Sequence, residues 1–234
     1  MSHELASIIM VSDEFVQDTA HWELIFGYPP EATPGRAIFY AGNVNIQLVA
    51  RAQLTHFFPD IDTSPPASSL WGLSFRQDSI VETPMTRYTA TRGLPVFVGD
   101  APYVERRHDQ DCVSQIDHVV VETKDANGVV DLFGRRLGIR LALRKNVPAW
   151  GGEMLFFRTN HMSIEVIANA KNPEIDSLWG IALRCDDINS VHGRLSHAGV
   201  SVSEIRDGRK KGTRVATIKD HVMGIGTLLI EHST

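Results

Sequence analysis

The chain says nearly the same thing twice: SLWGLSFRQDSI at Ser69 to Ile80 returns as SLWGIALRCDDI at Ser177 to Ile188. Flanking segments recur in the same order. LIFGY at Leu24 to Tyr28 matches RRLGI at Arg135 to Ile139, and NIQLVARA at Asn45 to Ala52 matches SIEVIANA at Ser163 to Ala170. A tandem duplication restricts the chain to folds built from two similar halves, here residues 1–113 and 114–234. It also lets the copies be compared position by position, so that a chemical disagreement marks a site kept in one and lost in the other.

The 234 residues, 43 % hydrophobic and 22 % charged, are ordinary globular composition and suffice to bury a core without staples. A net charge of −5 gives no electrostatic footprint for nucleic acid or an anionic membrane. The partner expected is a small molecule. Charge is uneven, with 7 Lys and Arg against 14 Asp and Glu up to Val113, and 16 against 14 beyond it, which makes the second copy the better host for an anionic ligand. Two cysteines, Cys112 and Cys185, make no disulfide framework. The start lacks a basic leader, and no stretch approaches the ~20 apolar residues of a spanning helix, so the expected location is the cytoplasm.

Each half reads as two βαβββ-type units. Ile116 to Glu122 is a β-branched strand, and Asp125 caps a helix carrying Val129, Val130, Phe133 and Leu137 at helical spacing, stopped by Gly138. Gly152 to Arg158 and Met162 to Ala168 follow as strands around a tight turn at Thr159 to His161. The next unit has a strand at Gly180 to Arg184, a cap at Asp186 or Asp187, and one helical face of Ile188, Val191, Leu195 and Ala198 ended by Gly199. Strands are expected at Val200 to Ile205, Thr213 to Ile218 and Gly226 to Glu231. The first half repeats the plan with a strand at Ala6 to Val11, a helix from about Glu14 to Phe26 stopped by Gly27, and strands at Ala37 to Ala41 and Val44 to Ala50. Its second unit, with a helix stop at Gly93, reads as truncated, which would expose a sheet edge suited to a homodimer. Thr55 to Ser69, with Pro59, Pro65 and Pro66, reads as a linker, as does His108 to Gln115.

IDHVVVET at Ile116 to Thr123, LFGRRLGI at Leu132 to Ile139, SIEVI at Ser163 to Ile167 and WGIALRCDDI at Trp179 to Ile188 together resemble the vicinal oxygen chelate superfamily, which includes glyoxalase I, extradiol dioxygenases, methylmalonyl-CoA epimerase and bleomycin resistance proteins. The resemblance implies an α+β fold in which paired βαβββ units curl their sheets, with helices outside and a divalent metal (Zn, Fe, Mn, Ni or Co) on the first and last strands of each unit. His118 then matches the opening-strand histidine, and Glu165 the closing-strand glutamate. Imidazole and carboxylate together suit such ions and leave positions open for a substrate with two adjacent oxygens.

The second unit departs from the pattern. Gly180 stands where the resemblance places a ligand. Glu231 offers the last carboxylate, provided the closing strand is not shifted by one residue, which would place Ile230 there instead. The site then has three ligands or two. The first copy has Ser7, Gln47 and Gly72 at the aligned positions, so any metal belongs to the second copy.

Each candidate has a plainer alternative. His118 alone is a polar residue at a strand entrance, bonded to backbone or to Asp117, and Glu165 inside an apolar strand either meets a cation or points to solvent. Glu231 near the C-terminus is open to being a solvated end. Arg206, Arg209 and Arg214 in RDGRKKGTR either grip an anionic part of a substrate or form a solvated hairpin. His192 and His197 do not share a helix face and read as surface residues. Trp71 and Trp179, present in both copies, read as packing residues. GIG at Gly224 to Gly226 has no following helix and is no nucleotide loop. The expected activity is that of a metal-dependent lyase, isomerase or dioxygenase; the rival is a metal-free protein that sequesters a small molecule or antibiotic.

Overall fold

The computed structural model describes residues 3–58, 61, 69–77, 85–99, 109–159 and 162–233. The first half supplies β1 (His3–Ser12), α1 (Phe15–Phe26), β2 (Glu31–Thr33), β3 (Arg36–Ala41), β4 (Val44–Ala50), α2 (Leu54–Phe57), β5 (Leu70–Gln77), β6 (Thr86–Arg87) and β7 (Val96–Val98). The second supplies β8 (Val113–Thr123), α3 (Ala126–Val129) with π-helical turns over Val130–Arg136, β9 (Arg140–Val147), β10 (Gly152–Thr159), β11 (Met162–Ala168), β12 (Ser177–Cys185), α4 (Ile188–His197), β13 (Arg206–Asp207), β14 (Thr213–Ile218) and β15 (Gly226–His232). The architecture is α+β, two mixed sheets with few helices. The first sheet runs β2-β3-β4-β1-β5-β7-β6 and the second β9-β10-β11-β8-β12-β15-β14-β13.

The repeat is visible strand by strand. β1 pairs parallel with β4 and antiparallel with β5, as β8 does with β11 and β12, and β5 with β7 is parallel, as is β12 with β15. Even an irregularity is duplicated. Met10 and Ile9 oppose Leu70 and Gly72, leaving Trp71 as an extra residue, and Val121 and Val120 oppose Leu178 and Gly180, leaving Trp179. At this bulge two successive residues turn away from the core. The glycine after each tryptophan has one steric cause: a Cβ on Gly72 would lie 2.9 Å from the Pro95 carbonyl oxygen, and one on Gly180 would lie 2.7 Å from that of Gly226.

Several expectations are corrected. Among the described residues before Gly93 there is β6 and a turn, not a helix, although Gly93 has the expected positive φ of 89°. Val200 to Ile205 makes one bridge, Val202 with Ile218, in place of a strand. β9 went unread because its face pattern is hidden: most of its residues are exposed and four of the eight are Arg, Lys or Asn. In the first proposed linker Leu54–Phe57 is helical and residues 59, 60 and 62–68 lie outside the described residues; in the second Val113 to Gln115 belong to β8 and His108 lies outside. Asn160 and His161 of the expected turn also lie outside. His192 is half-buried and bonds the Ser203 carbonyl at 3.1 Å. No helix of the described residues is long and apolar enough to cross a membrane.

Both halves contribute to one continuous core, through Phe75, Phe133 and Phe157 among others. Polar contacts lock the seam. Arg194 of α4 donates to the Leu24 and Ile25 carbonyls at the end of α1. The buried Asn43 amide donates to the Ile116 carbonyl at 2.8 Å and accepts from the Ile116 N–H at 2.9 Å. Ile116 is where the β8–β12 ladder shifts, since Ala182 opposes His118 and Leu183 opposes Ile116, with Asp117 extra between them. Asn43 therefore supplies, across the seam, backbone bonds beside a bulge. Asn43→Ala is expected to lower unfolding stability by about 2 kcal/mol in urea denaturation, because two buried backbone groups lose their partners.

Candidate functional site

The Asp117 bulge puts two consecutive residues on the sheet face turned away from the core. Along β8 the residues Ile116, Val119 and Val121 are buried in the core, while Asp117 and His118 both point to the second face. Strand alternation brings other groups beside them. Ser163 lies opposite His118 on β11, Glu165 two residues on opposite Val120, and Ala182 opposite His118 on β12. From β15, Ile230 and then His232 occupy this face.

The polar groups meet there. Asp117 Oδ1 is 2.8 Å from His118 Nδ1, and Asp117 Oδ2 is 2.5 Å from His232 Nε2. Glu165 Oε1 stands 3.6 Å from His118 Nδ1. Burial would raise the Asp117 carboxyl, but the hydrogen bonds and charges of the two imidazoles outweigh it and hold the group down at about 2. An ionised carboxylate only accepts, so His118 Nδ1 and His232 Nε2 carry the protons. Burial works against a charged His118, yet the Asp117 hydrogen bond and the charges of Glu165 and Asp117 raise it above its ordinary value. Glu165 is raised chiefly by burial, with Phe156 and Val120 beside it in the row; the neighbouring His118 offsets only part of this.

The other sequence candidates lie elsewhere. Glu231 faces opposite to Ile230 and accepts from Arg214 Nε and Nη2 at 2.9 and 2.8 Å, and from the Ile188 N–H at 2.9 Å, capping α4. The strand register thus gives the ligand face to Ile230 and His232, and Glu231 and Arg214 are engaged with each other. Arg206 and Arg209 are exposed on β13 and its turn. Gly180 is excluded as a ligand position by the Gly226 carbonyl. Sequence reasoning missed His232 and Arg158, and it read Asp117 only as a hydrogen-bond partner of His118, a pairing the structure has at 2.8 Å. Arg158 lies opposite Ser163 on the second face and donates to its hydroxyl at 2.9 Å. The signals were there: two polar residues in succession inside IDHVVV mark a bulge, and His232 shares a face with Ile230 by period two.

A divalent ion needs donors that converge. His118 and Glu165 do, but Gly180 and Glu231 add nothing, and Asp117 and His232 are turned on each other. Among the described residues no three His, Cys, Asp or Glu side chains are placed to hold a metal. Asp117 is hydrogen-bonded to both imidazoles while Glu165 stands 3.6 Å from His118, and that arrangement does not fit a coordination shell. A cleft of about 370 Å³ on the seam between α1 and the 222–224 turn, lined by Asp18, His21, Asp220 and His221, is lined by none of these residues.

The first half shows the same positions in another state. Ser7 and Gln47, aligned with His118 and Glu165, are buried and hydrogen-bonded at 2.8 Å. Over them Ile9, Val11, Val49, Trp71 and Phe97 form a dry cluster covered by Leu54 and Phe58.

Residues 117–217 match the model of the Glyoxalase/Bleomycin resistance protein/Dioxygenase superfamily. Solved structures similar to the chain include methylmalonyl-CoA epimerase from Mycobacterium tuberculosis, 18 % identical over 52 % of this chain and 90 % of that one with a TM-score of 0.43. Another is a Streptomyces coelicolor methylmalonyl-CoA epimerase variant in complex with 2-nitronate-propionyl-CoA, 17 % identical over 51 % and 97 % with a TM-score of 0.41. No curated protein sequence matches the chain.

Two outcomes test this geometry. In Asp117→Asn the His118 pKa, followed by long-range proton–nitrogen correlation, is expected to fall from its raised wild-type value. The sign for stability follows: a raised histidine stabilises fully below its unfolded pKa, near 6.5, and the gain is lost as pH rises through the folded value. The wild-type advantage from this histidine over Asp117→Asn therefore shrinks toward alkaline pH. Gly180→Ala is expected to destabilise the fold by about 1–3 kcal/mol in thermal or urea unfolding, since its methyl meets a strand carbonyl.

Proposed function

We propose that this chain, whose residues 117–217 match the model of the Glyoxalase/Bleomycin resistance protein/Dioxygenase superfamily, is an enzyme of proton transfer. It acts on a small substrate with adjacent oxygens, in the isomerase or lyase class, at the second face of the β8–β15 sheet. The observation that carries the reading is the pairing of a burial-raised Glu165 with an imidazole whose charged form is favoured by its hydrogen bond to Asp117. A carboxylate whose pKa is raised by burial is a stronger base than a solvated one. Glu165 removes a proton from the carbon beside a carbonyl. His118, with Nδ1–H committed to Asp117, presents Nε2–H to the carbonyl oxygen and stabilises the enolate as charge develops there. Return of the proton from Glu165 to carbon completes an isomerisation; departure of a group from the neighbouring carbon completes an elimination. Arg158, on the same face, supplies a cation for a second oxygen of the substrate.

The test is exchange of α-protons for deuterium in a panel of small 2-oxo acids and hydroxyketones, followed by proton NMR in D2O. The wild type should wash out the α-proton of at least one member, and Glu165→Gln should slow that washout by about 10²-fold or more. Absence of washout across the panel, or an unchanged rate in Glu165→Gln, gives preference to a metal-free binding protein. That rival draws support from the first half, where the aligned Ser7 and Gln47 are buried and bonded to each other. A divalent metal on His118 and Glu165 would have only those two donors among the described residues, because Asp117 and His232 are bonded to each other. The protein purified without affinity-column metal should carry no stoichiometric Zn, Fe, Mn, Ni or Co by elemental analysis, and chelator should leave the exchange rate unchanged.

A further inference from the structure

The duplicated tryptophans occupy the same bulge in opposite surroundings. Trp71 is 8 % exposed, with Phe58 and Phe97 against it at ring-centroid distances of 5.8 and 5.6 Å. Trp179 is 55 % exposed. The cause lies in the connections. In the first half residues 51–69 join β4 to β5 and include α2 and Phe58, which close over the face. In the second half the shorter stretch 169–176 joins β11 to β12, carries no aromatic residue, and places its one large apolar side chain, Ile175, against Gly93. The second aromatic partner is missing too: Phe97 opposes Ser74 on β5, and at the matching place opposite Ala182 stands the smaller Leu228.

We propose that Trp179 is a substrate-contacting, specificity-determining residue that stacks a planar, aromatic part of the substrate in the place where the first half inserts its own Phe58. This rests on the reading of Glu165 and His118 as the reacting end. The indole lies beside Gly226, where an added Cβ would be 3.8 Å from ring atoms Cη2 and Cζ2, so one side of the ring is backed by β15. Glu165 opposes Val120, and Val120 opposes Gly180, the residue after Trp179. Two strand spacings, roughly 10 Å, therefore separate the backbone beside Trp179 from that of Glu165, and the indole leans from there over Gly226 of β15. Val120 between them and the exposed Leu143 opposite Phe156 beyond Glu165 make the same row apolar. The substrate class is an aryl compound bearing adjacent oxygens, its ring on Trp179 and its oxygenated end at His118.

The experiment compares two probes that lack an α-hydrogen and so bind without turnover: benzoylformate, with an aromatic ring, and trimethylpyruvate, with an aliphatic group. Affinities are measured by calorimetry, and the Trp179 indole N–H is followed by proton–nitrogen correlation. Benzoylformate should bind about threefold to tenfold more tightly to the wild type and shift the Trp179 signal. The preference should vanish in Trp179→Ala and survive in Trp179→Phe, both of which should fold because the side chain is exposed. The inference is overturned if neither probe binds at millimolar concentration, if the two bind equally, or if Trp179→Ala keeps the preference. Failure of deuterium washout with the Trp179-dependent preference intact would reject the catalytic reading alone.

Discussion

Ile116 is held from the other half of the molecule, by both ends of the Asn43 amide. The site rests on that pair of hydrogen bonds, because the next residue is the extra one in the β8–β12 ladder. A regular strand turns successive side chains to opposite faces, so a regular β8 would send one of Asp117 and His118 into the core. The bulge spares the core a charge and delivers a carboxylate and an imidazole together to the second face. His232 and Glu165 then arrive by ordinary register from β15 and β11. The first half contributes to the second half's chemistry through this backbone clamp and not through a ligand of its own.

The two halves divide along a physical line. In the first, Gln47 and Ser7 satisfy each other, and the apolar surface above them is covered by α2 and Phe58. In the second, the shorter β11–β12 connection leaves Trp179 bare and the polar group partly exposed. Burial of Glu165 among Phe156 and Val120 is deep enough to disfavour its charge, while Asp117, bonded by two imidazoles, keeps its own. One carboxylate is thus made basic and the other is fixed as an anion, within a single side-chain cluster.

Much of this was legible in the sequence. The repeat SLWG gave both halves, and the period-two pattern of SIEVI set Glu165 against the buried Ile164 and Val166. The glycines Gly27 and Gly138 ended their helices with the positive φ expected of them. What stayed hidden were features that depend on neighbours in space. β9 is exposed along most of its length and carries no face pattern. Gly180 looked like a lost ligand until the Gly226 carbonyl showed that no side chain fits there. Glu231 looked like a ligand until register gave it to Arg214 and the start of α4. The two tryptophans looked alike because the sequence does not show that only one of them is covered.

The most direct test of the central claim is a carbon-13 NMR titration of the Glu165 side-chain carboxyl in the wild-type protein. The account predicts a midpoint above the ordinary glutamate value of 4.5, together with a His118 that remains charged above its ordinary pH. A Glu165 midpoint at or below 4.5 would contradict it, since the carboxylate would then be solvated or neutralised and without the basicity that the proposed proton transfer requires.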